Sequence, residues 1–94
     1  MRNEVTTYEL PETIELSKAL LYRVGSASMA GHTYVDEQGR WIVRISSVDD
    51  AGKHEIHIRE GETLKFVGAT WKLTKVYEPT TATRGPVATL TRVQ

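Results

Sequence analysis

The sequence predicts an all-β fold, either a small antiparallel β-barrel or a two-layer β-sandwich of about seven or eight short strands. Three observations predict it. Apolar residues recur at every second position along several segments, which is the side-chain period of a strand. Those segments are rich in Val, Ile, Thr, Tyr and Trp, the residues favoured in strands. Gly, Pro, Asp and Asn separate the segments at short intervals, as turn residues do.

Size and composition narrow the possible functions. The 94 residues suffice for one domain over residues 1–94, and 39% hydrophobic with 26% charged residues is an ordinary globular composition. Cysteine is absent, which excludes a disulfide framework, a thiolate metal site and a nucleophilic thiol. The formal net charge is zero, which argues against non-specific nucleic-acid binding. No apolar run approaches the roughly 20 residues of a membrane helix, so we expect a cytoplasmic protein outside the membrane.

The N-terminal third fits two interpretations. Five apolar residues fall on one side of a two-residue period: Ile14, Leu16, Leu20, Tyr22 and Val24. This spacing predicts a strand over residues 13–24, although Leu16, Ala19, Leu20 and Leu21 could also line a short helix after residues 11–12. We choose the strand because the neighbouring segments are short β segments. Residues 25–28, Gly-Ser-Ala-Ser, are then a flexible connection.

The clearest strand covers residues 40–46. Its core face carries three apolar residues: Trp41, Val43 and Ile45. The preceding turn, residues 36–39, contains Gly39, which tolerates positive φ, so we expect a hairpin with residues 33–35. A second turn at residues 49–52 predicts another hairpin, whose second strand covers residues 53–59.

The C-terminal half continues the pattern of short strands and turns. Residues 63–67 and 70–77 are predicted strands, separated by Gly68-Ala69 and entered through the turn at residues 60–62. Val76 breaks the alternation of the second of these strands, which predicts a bulge or a twist near the end of that strand. Residues 78–86 form the longest predicted loop, and residues 87–93 form a Thr-rich final strand. We expect Trp41, Ile56, Phe66 and Trp71 to be buried together.

The histidines of the 53–59 strand do not form a zinc site. His54 and His57 are three residues apart, and residues three apart in a strand point to opposite faces of the sheet. The helical zinc motif needs two histidines four apart. We therefore predict no metal and no cofactor.

Several side chains remain candidates for contact with a ligand or a partner. Glu55, His57 and Arg59 share an outward face, where a carboxylate beside an imidazole could act as an acid/base pair. No nucleophile stands at a recognisable spacing, so we interpret this row as an exposed charged face. The other candidates are His32 in a glycine-flanked loop, the two indoles and one cation of the long loop: His32, Trp41, Trp71 and Arg84.

Residues 54–79, HEIHIREGETLKFVGATWKLTKVYEP, and residues 87–93, VATLTRV, resemble small uncharacterised domains common in actinobacteria such as Streptomyces. The resemblance covers mainly residues 54–93 and is carried by Gly61, Glu62, Gly68 and Trp71. It implies a β fold and a bacterial cytoplasm, and it implies no reaction.

These observations favour a non-enzymatic interaction module that binds another protein or its own copy through an exposed edge strand or the 78–86 loop. One alternative is a small barrel enzyme or ligand carrier, with Trp41, Trp71 and Tyr22 lining a cavity and His32 or His57 supplying a polar contact. Another is an immunity-type inhibitor, which needs a surface patch of one charge sign.

Overall fold

A computed structural model describes residues 10–78 and 84–93, and within them the fold is all-β, as predicted. Eight strands follow one another without a helix in these ranges. They are β1 (Thr13–Ser17), β2 (Tyr22–Val24), β3 (Ala27–Val35), β4 (Trp41–Asp49), β5 (Gly52–Ile58), β6 (Thr63–Phe66), β7 (Ala69–Val76) and β8 (Pro86–Arg92). No helix long and apolar enough to span a bilayer occurs in this part of the chain.

The strands form two antiparallel sheets of four. Sheet 1 has the order β1-β8-β7-β6, and sheet 2 has the order β2-β3-β4-β5. Every recorded strand pair belongs to one sheet or the other, so residues 10–78 and 84–93 show no closed barrel. The chain crosses between the sheets twice, after β1 and after β5. Short turns join β2 to β3, β3 to β4, β4 to β5 and β6 to β7, whereas the longer connection of residues 77–85 joins β7 to β8.

The turns explain why these residues form hairpins. Asp36 and Gly39 close the β3–β4 turn, where Gly39 has a φ of 80°. Val67 and Gly68 connect β6 to β7, and both have positive φ, 48° and 78°. This combination is typical of a hairpin turn that matches the twist of its strands. For a β-branched residue such as Val67 it is a strained conformation.

One cluster of buried side chains draws on both sheets. Trp71 and Phe66 are its largest members, and the Trp71 indole Nε1 donates a hydrogen bond to the Phe66 carbonyl at 3.0 Å. The two sheets approach one another most closely where β1 contacts β2 and β3, and where β3 contacts β8. At this point a Cβ on Gly31 would lie 2.8 Å from Leu16 Cδ1. The core is therefore tightly packed on the β1 side.

The N-terminal third is not the single continuous strand that the sequence predicts. It contains strands, as we chose, but residues 18–21 interrupt them with a turn in which Ala19 has a φ of 61°. Leu20 is 53% exposed, so the apolar series does not describe one strand, and the helical alternative is wrong. Residues 25–28 are not a flexible connection, because β3 begins at Ala27 and pairs with β2. Local periodicity could not show that the chain leaves one sheet for the other here.

Trp41 is not in the core. It is 40% exposed, and it pairs with Val35, which is also exposed, at the end of the β3–β4 hairpin. This end of the hairpin extends past the core cluster. Apolar side chains here still alternate along the strand, but there is no core for them to pack against. Phe66 and Trp71 are fully buried as predicted, and Ile56 is partly buried against the cluster.

The remaining local predictions have mixed outcomes. The predicted bulge in β7 is confirmed, because the register with β8 shifts between Leu73 and Lys75. The turn at residues 60–62 leads from sheet 2 to sheet 1. In the long loop of residues 78–86, residues 79–83 lie outside the described part of the chain. The final strand begins at Pro86, one residue before the predicted start.

Candidate functional site

The outer face of sheet 2, which points away from the core, collects several predicted site residues. The register places His32 of β3 opposite Arg44 of β4, and Arg44 opposite His57 of β5. Directly opposite residues point to the same face of an antiparallel sheet. Three neighbouring strands thus place one imidazole on each side of the Arg44 guanidinium. The sequence interpretation assigned His32 to a loop, whereas the structure places it in a strand.

His57 is the centre of a short polar chain on this face. The Tyr34 hydroxyl lies 2.9 Å from His57 Nδ1, and Glu55 Oε2 lies 3.4 Å from His57 Nε2. The Tyr34 and His57 rings meet edge to face with centroids 5.7 Å apart. Glu55 and His57 therefore pair as their shared face predicted. Their side chains are 55% and 46% exposed, so water competes for both, as expected for an exposed polar face.

Two carboxylates near this polar chain of side chains, Asp36 and Glu62, accept backbone hydrogen bonds that stabilise turns. Asp36 Oδ1 accepts hydrogen bonds from the backbone N–H groups of Gln38 and Arg40, at 2.8 and 2.9 Å. The Arg40 backbone bond is the main cause that lowers the pKa of Asp36 below its ordinary value of 3.8. Glu62 Oε1 accepts a hydrogen bond from the Arg59 backbone N–H at 2.7 Å. These carboxylates fix the backbone at the ends of β3 and β5.

Arg59 follows β5 directly, and its side chain is exposed. In the described part of the chain the Arg59 guanidinium has no hydrogen-bond or ion-pair partner. Together with Tyr34, Ile42 and His57 it lines a shallow pocket of about 320 Å³. The predicted row of Glu55, His57 and Arg59 thus exists, and it ends in a cation that is unpaired within residues 10–78 and 84–93.

A groove, called the inter-sheet groove below, opens between β5 and β6. Each of these strands is an edge strand of its own sheet. The volume of the groove is about 450 Å³, and residues of both sheets line it. The apolar walls are formed by four side chains: Ile45, Ile56, Leu64 and Phe66. Asp49, His54 and Lys65 stand among the polar lining residues. The sequence analysis did not predict this groove, because it depends on two strands that do not pair with each other.

Asp49 lies at one end of the groove and connects the two sheets. Its carboxylate accepts hydrogen bonds from the N–H of Ala51 at 2.9 Å and from the N–H of Val67 at 3.1 Å. His54 Nε2 lies 3.7 Å from the same carboxylate. Because Val67 belongs to the β6–β7 turn and Asp49 to β4, this side chain ties sheet 1 to sheet 2. Only 10% of the Asp49 side chain is exposed.

β5 also has a free backbone edge. Its only strand partner in the described ranges is β4, so the backbone groups that point the other way have no ladder partner. Edge strands of this kind are templates for a further strand. At seven residues, β5 is the longest of the four edge strands, which are β1, β2, β5 and β6.

The remaining predicted site residues do not join this region. Trp71 is enclosed in the core, and Trp41 is exposed at the end of the β3–β4 hairpin. Neither indole nor Tyr22 lines the inter-sheet groove. Arg84 is exposed beside the undescribed residues 79–83. In the described ranges no three His, Asp or Glu side chains are grouped to hold a metal ion.

Compared with protein-family models, with curated proteins and with solved structures, the chain matches none of them. The resemblance to actinobacterial domains therefore stays a prediction.

Proposed function

We propose that this chain is a non-catalytic interaction module that binds an extended protein segment by adding it as a strand to β5. The observation that carries this proposal is the free, seven-residue β5 edge lying directly beside the inter-sheet groove. In strand addition, main-chain hydrogen bonds supply affinity and pockets for alternate side chains supply specificity. The β5 edge and the groove offer both.

The architecture we infer is a two-layer sandwich. The shared core cluster and the close approach of β1 to β2 and β3 support it. In that arrangement β5 and β6 are the edges on the opposite, open side. A strand added to β5 would direct every second side chain towards the groove, because side chains alternate across a sheet.

The groove also defines the partner's chemistry. Its walls are apolar, while Asp49, His54 and Lys65 are its polar members. We therefore expect the bound segment to carry aliphatic or aromatic residues at alternate positions. Between them, the outward side chains of the segment would meet Glu55 and His57.

Peptide selection tests this proposal. The full-length chain is used to select from a phage library of random peptides, and the affinities of synthetic versions are then measured by calorimetry. Ile56→Lys places an ammonium group inside the groove and should weaken peptide binding at least about tenfold, because a charge that points inwards from an edge strand blocks strand addition. Val35→Lys is the matched control, since Val35 is exposed, β4 separates its strand from β5, and it pairs with Trp41, outside the part of β4 that pairs with β5.

Equal peptide affinity for the Ile56→Lys and Val35→Lys variants would contradict binding at β5. The selected sequences should also show the apolar alternation described above. Hydrogen exchange of the complex should protect backbone amides of β5 and leave those of β2, the other edge of sheet 2, unchanged.

One observation favours a second candidate function, that of a ligand carrier. A volume of about 450 Å³ with apolar walls is within the usual size of small-molecule sites. The ligand would then occupy the inter-sheet groove rather than a cavity lined by Trp41, Trp71 and Tyr22. The immunity-type inhibitor and the cytoplasmic location stay predictions from the sequence.

A further inference from the structure

The charges along β5 are arranged symmetrically about His57. Glu55 lies two residues before it within β5, and Arg59 lies two residues after it, directly beyond the last strand residue, Ile58. The Arg59 side chain lines the outer-face pocket beside His57. The Arg59 guanidinium has no partner in the described ranges. Among the described residues, the Glu55 carboxylate has one charged neighbour, His57, at 3.4 Å. Two opposite charges are thus available at the free edge.

An antiparallel pair of two β5 strands centred on His57 satisfies both charges. Glu55 of each copy then lies across from Arg59 of the other, at the end of the strand pair. The Arg59 backbone stays bonded to Glu62 of its own copy, so the guanidinium makes this contact, and opposite charges across a strand pair stabilise it. On the inner side, the same register places Ile56 opposite Ile58 of the other copy. Both isoleucines belong to the inner, core-facing side of β5.

The other symmetric registers are less favourable. A pair centred on Ile56 sets Lys53 against Arg59, and a pair centred on Glu55 sets two carboxylates against each other. A pair centred on His54 matches Lys53 with Glu55, but it places Ile56 opposite Gly52 and loses the contact between isoleucines. Registers centred between residues would set outward side chains opposite inward ones.

We propose that the strand that adds to β5 is the β5 of a second copy of this chain, antiparallel and centred on His57. This inference rests on the function proposed above. It joins two copies of sheet 2 into one eight-stranded sheet. The contact consists of a short strand pair, so we expect dimerisation to depend on protein concentration.

Charge reversal tests the register in the full-length chain. Sedimentation equilibrium should show a monomer–dimer equilibrium for the wild type. Glu55→Arg or Arg59→Glu alone should raise the dimer Kd at least about tenfold, because each dimer contains the altered pair twice. The double variant Glu55→Arg with Arg59→Glu should return the Kd to within about threefold of the wild type, since opposite charges face each other again.

Lys53→Glu is the control, because Lys53 lies outside the central pairs of this register. An unchanged Kd for that variant is expected. Circular dichroism should show the same β spectrum for all variants, since all three positions are exposed.

Three results would overturn the inference: a wild type that is monomeric at every concentration, single reversals that leave the Kd unchanged, or a double variant that is not rescued. A monomeric wild type that still binds selected peptides at β5 would overturn only the identity of the partner. A monomer that also selects no peptide would contradict the proposed function itself.

Discussion

The two sides of the core differ in how completely they are packed. On the packed side, where β1 approaches β2 and β3, a Cβ on Gly31 would lie 2.8 Å from Leu16 Cδ1, so this buried methyl group would have to shift. On the open side, β5 and β6 border a groove of about 450 Å³. The same core cluster extends to both sides. The difference shows that the two sheets meet closely along one side of a shared core and leave a groove along the other.

The largest expected effect is on the packed side. Gly31→Ala should lower the free energy of unfolding by about 1–3 kcal/mol, because an added methyl group in a filled core forces its neighbours to move. The matched change on the open side is Ala51→Val at the groove, which should alter stability by less than about 0.5 kcal/mol. Urea denaturation followed by tryptophan fluorescence measures both.

A double variant tests whether Leu16 is the residue that requires glycine at position 31. Leu16→Val removes the atom that meets the new Cβ, so Gly31→Ala should cost less in that background than in the wild type. Equal costs in both backgrounds would show that Leu16 is not the residue that requires glycine at position 31.

An intermediate effect on stability is expected at Asp49, whose hydrogen bonds connect the two sheets at one end of the groove. Asp49→Ala removes the acceptor of the Ala51 and Val67 N–H groups, which should lower the free energy of unfolding by about 1–2 kcal/mol. Asp50→Ala is the control, because Asp50 is exposed and should change stability by less than about 0.5 kcal/mol. Chemical denaturation of the two variants side by side checks the prediction. Equal losses would mean that the tie contributes nothing.

The smallest effect is expected at the β3–β4 turn, away from both sides. The pKa of Asp36 is lowered in the folded protein, so its charge stabilises the fold above the ordinary pKa of 3.8. This contribution is lost as the pH falls through the lowered pKa. Asp36→Asn should therefore be slightly less stable than the wild type at neutral pH, and the difference should shrink in acid. A difference that stays constant over this pH range would contradict the assignment.

The sequence predicted strands better than it predicted their assembly. Alternation located β4 to β8, the last three residues of β3 and the core residues Phe66 and Trp71, because burial on one face imposes a two-residue period. It could not show that the chain changes sheet between residues 17 and 22 or between residues 58 and 63. Each of these crossings looks locally like an ordinary turn.

The candidate site was predicted only where it depends on one strand. Glu55, His57 and Arg59 follow from the alternation of β5, and the structure adds Tyr34 through the pairing of β3 with β4. The inter-sheet groove depends on the spacing between two unpaired edges, which no local pattern records. Trp41 was misplaced because its strand alternates beyond the end of the core.

The bond between Asp49 and Val67 has a mechanical consequence. Val67 occupies a left-handed conformation that valine disfavours, and its N–H is held by a carboxylate from the other sheet. The hairpin imposes this conformation on Val67, and the Asp49 carboxylate adds a bond to it from the other sheet. One side chain thus fixes the strained turn and the neighbouring end of the groove in the same place.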